Sequence, residues 1–280
     1  MSVAESVVAE GGLDDRLLAK WQTDGFVILR NCLPETQVSA VNALVDRLWR
    51  ERRRLPLPVT IDINLESGSQ QRVLLRNTTD EVRLEPYKIN DLYLEFDEVR
   101  AASLNPGLTR VLSLLLAGAP MVCNTLNFEY GSQQTDHVDS FYMPSRKKNC
   151  MLASWIALDD VTEGNGPVRL YPGSHLIPPY RFSNGGIRAI GSEMPACQQY
   201  LKKQVHEREI REERFLAEPG DVLIWHSQLL HGGTPIVDSS MRRRSLVTHY
   251  FRQRDYRHHL WRVRKHNAGG YYYNRRHQAV

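Results

Sequence analysis

The stretch Thr135-Asp136-His137-Val138-Asp139 places an imidazole and a carboxylate two residues apart. On a strand both side chains leave the same face. One more imidazole on that side completes the two-histidine, one-carboxylate donor set of non-heme iron(II) sites. The candidate is His231, in Leu229-Leu230-His231-Gly232-Gly233, which follows the turn and apolar run Gly220-Asp221-Val222-Leu223-Ile224-Trp225. His226 is its rival. His231 is preferred because the glycines after it let backbone and ligand crowd against a metal, whereas His226 follows Trp225 inside the apolar run. His137 and His231 are 94 residues apart, so two distant strands of a closed β structure must meet.

Taken singly, each of these residues has a bland explanation. His-x-Asp occurs by chance on surfaces, and a lone buried histidine is more often a satisfied core residue than a ligand. Twelve residues past His231, however, stands Arg242-Arg243-Arg244-Ser245, entering the apolar run that ends at Phe251. Strand parity sets Arg243 and Ser245 on one face and Arg244 on the other, with Arg242 in a solvated turn. A guanidinium fork beside a hydroxyl suits a small dicarboxylate.

The elements that must position these groups change character along the chain. Leu13, Leu17, Leu18 and Trp21 have helical spacing up to Asp24-Gly25, and Phe26–Leu29 reads as a strand. A second helix opens at Pro34-Glu35 and closes in the basic run Arg50–Arg54, which the helix dipole favours at that end. Residues 55–82 give no clear pattern. Leu94–Leu116 is helical, broken at Asn105-Pro106-Gly107. From there Met121–Tyr130, Cys150–Leu158, Val168–Tyr171, Val222–His226 and Ser245–Phe251 are short apolar runs separated by turn residues, the rhythm of a β-sandwich or barrel. The expectation is one domain, with a helical part at 1–118, a β core at 119–255 and a tail at 256–280, and residues 1–12 loosely ordered.

The chain has 280 residues, 41% hydrophobic and 24% charged, with a formal net charge of +4. That surplus is too small to argue for nucleic acid and is compatible with an anionic small molecule. Cys32, Cys123, Cys150 and Cys197 form no Cys-x-x-Cys pair or dense framework, which points to reduced, mostly buried thiols. No leader pattern or membrane-length apolar segment is present. A cytoplasmic monomer or small homo-oligomer is expected.

Five segments, in order, resemble the phytanoyl-CoA dioxygenase-like family of iron(II)/2-oxoglutarate oxygenases. They are Trp21–Arg30, His137-Val138-Asp139, Trp155–Asp160, the stretch Asn165–His175 containing Pro172-Gly173-Ser174-His175, and Gly220-Asp221 through His231-Gly232. The resemblance implies a double-stranded β-helix core with flanking N-terminal helices. It also implies iron(II) held by His137, Asp139 and His231, with 2-oxoglutarate meeting Arg243 and Ser245 and O2 as co-oxidant. Asn127 stands where many members carry a polar contact to the cosubstrate. His175 belongs to a structural turn in the family and is left outside the metal shell.

The activity implied is hydroxylation of an unactivated C–H bond of a small molecule, with release of succinate and CO2. Desaturation, epoxidation and cyclisation are within reach of the same oxidant. Asp139 separates the chain from related halogenases, which have Gly or Ala there. Lys88, Phe141 and Tyr142 are candidate substrate contacts, and the tyrosines and arginines of the tail read equally well as packing and solvated charge. A metal-binding barrel that has lost catalysis, or a zinc hydrolase, has no need of Arg243 and Ser245.

Overall fold

The computed structural model describes residues 11–65, 70–147 and 149–280. Helix α1 (Gly11–Asp24) already contains Gly11 and Gly12; the rest of the N-terminal segment expected to be loose lies outside the described residues. Helix α2 (Glu35–Glu51) sets Val38, Val41, Leu44, Val45, Leu48 and Trp49 along one buried side at helical spacing. The break at Asn105 separates α3 (Asp97–Ser103) from α4 (Pro106–Leu115). The Asn105 side chain accepts the N–H groups of Gly107 and Leu108, and Pro106 takes a first-turn position where no donor is required.

These helices cover one face of a large sheet. Its strands are β1 (Phe26–Leu29), β2 (Thr60–Ile63), β3 (Gln71–Leu74), β4 (Lys88–Asn90), β5 (Pro120–Phe128), β6 (Met151–Ala157), β9 (Val222–His226) and β11 (Ser245–Arg252), in the order β1-β9-β6-β11-β5-β4-β2-β3. Strands β12 (Val263–Lys265) and β13 (Tyr271–Tyr273) bring the tail back, β13 running parallel to the start of β5. A second sheet, β10-β7-β8, is made of β7 (Val168–Leu170), β8 (Glu213–Phe215) and β10 (His231–Gly233).

Strand parity divides the side chains between two cores. Leu152 and Ile156 of β6, Val222 and Ile224 of β9 and Leu246 of β11 join the helices in one. Ala153, Trp155 and Ala157, Leu223 and Trp225, and Val247 meet Val168, Leu170 and Phe215 of the small sheet in the other. This is a double-stranded β-helix with a helical layer outside it. Because both faces of the central strands are covered, they read as unbroken apolar runs in the sequence.

Two parts depart from expectation. Residues 1–118, expected to be helical, also supply β2, β3 and β4, which extend the large sheet. Helix α5 (Met194–Glu207) stands between β7 and β8, and its Cys197 and Leu201 pack on Val138, Phe141, Phe182 and Leu230. None of the four cysteines is in a disulfide; Cys32 is half-buried and the others are buried. Among the described residues no helix is long and apolar enough to cross a membrane.

Candidate metal centre

His137 and His231 face each other as an isolated antiparallel pair. The N–H of His137 donates to His231 O at 2.9 Å and the N–H of His231 to His137 O at 3.1 Å. Direct opposition puts both imidazoles on one side, with ring centroids 4.4 Å apart. Val138 is extended (φ −119°, ψ 139°), so Asp139, which opens a short 3-10 turn, returns to the face of His137. The donor atoms of His137, Asp139 and His231 lie within 4.8 Å of one another, and all three residues are buried.

Hydrogen bonds fix what each group presents. His137 Nδ1 donates to Thr135 O at 2.8 Å and His231 Nδ1 to Leu229 O at 2.9 Å. Carbonyls take only donors, so in both rings Nδ1 carries a hydrogen and Nε2 is the nitrogen turned toward Asp139. These nitrogens lie 3.8 and 3.6 Å from Asp139 Oδ1, while Asp139 Oδ2 accepts the Trp225 indole N–H at 2.7 Å. Burial, reinforced by His231, pulls the His137 pKa down to about 4. Burial works against ionisation of Asp139, but His231 and His249 beside it hold the carboxyl well below the usual carboxylate range. A neutral His137 beside an ionised Asp139 matches the protonation states that a divalent cation requires.

The pocket beside this cluster is lined by Leu126, Phe128, Trp155, Val168, Val247 and Arg243, among others. Arg243 is 2% exposed, lies over the Trp155 ring at 5.1 Å and donates from Nη1 to Gly166 O at 2.7 Å. Its Nε has no partner, and no carboxylate among the described residues pairs with it. Burial pulls its pKa down to about 10, leaving it charged at neutral pH. Ser245 shares the face of Phe128 and Ala157 by register, and its buried hydroxyl also lacks a partner. A buried cation without a counter-charge is costly, and these orphaned groups match a carboxylate. Arg244 points the other way, to Asp46 and Glu129. Arg242, expected to be solvated, is exposed, with its guanidinium 3.4 Å from Glu129.

Other expected contacts are placed elsewhere. Asn127 is opposite Leu246 and Ile89 and faces the helix layer, not the pocket; parity gives the pocket face to Leu126 and Phe128. Lys88 shares the face of Phe128, but its ammonium lies 3.6 Å from the buried Asp62 and does not line the pocket. Phe141 is buried against Phe182 below α5. Tyr142 alone of the three substrate candidates lies against a residue of the cluster, 52% exposed with its ring 5.8 Å from His137. His226 points away from Trp225, and its Nδ1 accepts the N–H of Gln228. His175 lies against Gln22 O, outside the cluster.

Two residues at the site were not found from sequence. Trp225 read as apolar packing, and His249 as an interior strand position, although its Nε2 lies 3.5 Å from Asp139 Oδ1.

Sheet order and donor set together define a double-stranded β-helix protein with a two-histidine, one-carboxylate centre. The sequence signature of the phytanoyl-CoA dioxygenase (PhyH) family matches residues 21–244, and the chain belongs to that family. It is 23% identical over 226 residues to a probable phytanoyl-CoA dioxygenase of Caenorhabditis elegans, covering 76% of this chain and 67% of the relative. It is 20% identical over 224 residues to the human peroxisomal phytanoyl-CoA dioxygenase, spanning 61% of that protein's length. Among solved structures, the non-heme α-ketoglutarate-dependent epimerase SnoN from nogalamycin biosynthesis has a TM-score of 0.63 at 18% identity, over 86% of this chain and 84% of that one. The iron-bound EctD of S. alaskensis has a TM-score of 0.61 at 15% identity, over 88% and 78%. At such identities these structures show the shared fold.

Proposed function

We propose that this protein is an iron(II)- and 2-oxoglutarate-dependent dioxygenase that hydroxylates an unactivated C–H bond of a small molecule. The observation that carries this reading is the pairing of the His137-Asp139-His231 donor set with the unpartnered Arg243 and Ser245 in one pocket. His137, Asp139 and His231 hold the iron, and Arg243 with Ser245 receives the far carboxylate of 2-oxoglutarate. Iron and 2-oxoglutarate together supply the oxidising chemistry, in which O2 is consumed and succinate and CO2 are released.

The residues of the chain prepare that chemistry. Thr135 O and Leu229 O orient the two imidazoles, and the Trp225 N–H leaves Asp139 Oδ1 to face them. Phe128, Trp155 and Val247 keep the wall of the pocket apolar, which strengthens the charge-assisted bonds to Arg243. We assign the substrate contact to Tyr142, whose exposed ring stands beside His137. The test is succinate formation from 2-oxoglutarate in air, with purified protein and iron(II), comparing wild type with His231→Ala. Turnover that depends on iron and His231 supports the reading. If the wild type neither turns over nor binds 2-oxoglutarate, the chain is a metal-binding module.

A further inference from the structure

The outer face of the small sheet carries a second cavity. Val168 and Leu170 turn into the core with Trp155, so parity turns Arg169, and Tyr171 after it, outward. On β10, His231 opposite Leu170 faces inward and Gly232 opposite Arg169 faces outward. Asp136 lies over Gly232, where a Cβ would stand 2.5 Å from its Oδ1. Helix α5 crosses above this floor, and the groove between them has a volume of about 950 Å³. Small-molecule sites occupy roughly 300–1,000 Å³, so there is room for an organic ligand. No residue lining this groove also lines the pocket beside the metal ligands.

Two rows of α5 enter the groove at helical spacing. Leu201 and Val205 form an apolar row, continued by Leu230 of the floor and Ile210 of the turn after the helix. Lys202 and His206, one position further on and exposed, form a polar row, with Arg211 beyond the turn. The acids of the lining are mostly committed. Asp136 accepts from Arg169 Nε at 2.6 Å and from the Tyr171 hydroxyl at 2.9 Å. Glu207 accepts from Gln204 at 2.9 Å and pairs with Lys203 at 3.7 Å. Among the described residues, the groove's charges without an opposite partner are Lys202, Arg211 and Glu209, two cations against one carboxylate. Arg169 has used Nε alone, and both its Nη groups are left to donate. Guanidinium forks of this kind suit the paired oxygens of a carboxylate or phosphate.

We propose that this groove is a second ligand site, for a small amphipathic anion. The apolar body lies on Leu201, Val205, Ile210 and Leu230, and a carboxylate or phosphate head is held among Arg169, Lys202 and Arg211. The site uses no metal and does not depend on the oxygenase reading. It lies behind the metal centre, since Asp136 precedes His137 and Leu230 precedes His231.

Calorimetric titration of the full chain with decyl phosphate and with decanoate, each below its micelle concentration, tests the site. Decyltrimethylammonium, with the same chain and the opposite charge, and inorganic phosphate, the head alone, are the controls. One alkyl anion is expected to bind per chain, with both controls weaker by roughly 10-fold or more; the tighter of the two anions names the head. Lys202→Glu combined with Arg211→Glu is expected to weaken that anion by roughly 10-fold or more. Both side chains are exposed, so the double variant keeps the fold, and its affinity for 2-oxoglutarate is expected to match wild type. Absence of alkyl-anion binding, equal binding of the alkyl cation, or undiminished binding by the double variant overturns the inference and leaves the enzyme reading intact. A chain that binds the alkyl anion but not 2-oxoglutarate keeps the groove and loses the enzyme reading.

Discussion

Trp225 Nε1 donates to Asp139 Oδ2 at 2.7 Å, and the other carboxylate oxygen, Oδ1, is the one that faces the histidines. The indole thus selects which oxygen is offered to a cation. Trp225→Phe keeps most of the ring volume and removes this donor. Iron(II) affinity, measured by anaerobic calorimetry, is expected to fall roughly 10-fold or more, with little change in global stability. Equal affinity in the two proteins would show that the indole is packing alone.

Arg243 predicts effects of opposite sign on binding and on stability. With its counter-ion supplied by 2-oxoglutarate, Arg243→Leu is expected to weaken cosubstrate binding by about 1.5–3 kcal/mol, roughly 10- to 150-fold, while metal affinity is retained. In the absence of ligands the same change removes an unpaired buried charge. Urea unfolding of the ligand-free variant is then expected to show a gain of roughly 1–4 kcal/mol. A variant that both binds 2-oxoglutarate normally and gains nothing in stability refutes the assignment.

His226 gives a pH dependence that one substitution away from the metal ligands isolates. Burial, with His175 as the smaller cause, lowers its pKa from 6.5 to about 4. Between those values the unfolded chain takes up a proton that the folded chain refuses, so stability present above pH 6.5 is lost as pH falls toward 4. His226→Asn keeps an acceptor for the Gln228 N–H and lacks the titrating ring. Denaturant unfolding at pH 7.5 and pH 5 should show a smaller acid loss in the variant than in wild type; identical losses would exclude His226 as a source.

Gly233 is fixed by backbone proximity. A Cβ there would stand 2.8 Å from Gln133 N and 3.1 Å from Gln133 Cα. Since the neighbour is main chain, Gly233→Ala must shift the segment leading to His137, at a cost of roughly 1–3 kcal/mol. A lowered melting temperature together with weaker iron(II) binding is expected; an unchanged melting temperature would mean that the segment has room to move.

The clustering of His137, Asp139 and His231 was legible because their signals are local: a His-x-Asp pair, and a histidine followed by two glycines. Arg243 and Ser245 were legible because strand parity separates them from Arg244. The same parity misplaced Asn127, since Leu126-Asn127-Phe128 lies in a strand buried on both faces and apolarity does not mark which neighbour points inward. Lys88 looked available because its partner, Asp62, lies in the stretch whose short strands carried no readable pattern. Trp225 and His249 act through partners 86 and 110 residues away in sequence, a separation no local pattern encodes.

The rung between His137 and His231 joins two points 94 residues apart. Closing so long a loop costs chain entropy on the order of 4 kcal/mol, so this seam is expected to form late in folding and to open early. A cation bound across it is a cross-link that only the folded chain can offer, and it protects the protein in proportion to its concentration. Iron supply then governs how many copies escape proteolysis as well as how fast each one works, and scarcity of the metal thins the population of the enzyme itself.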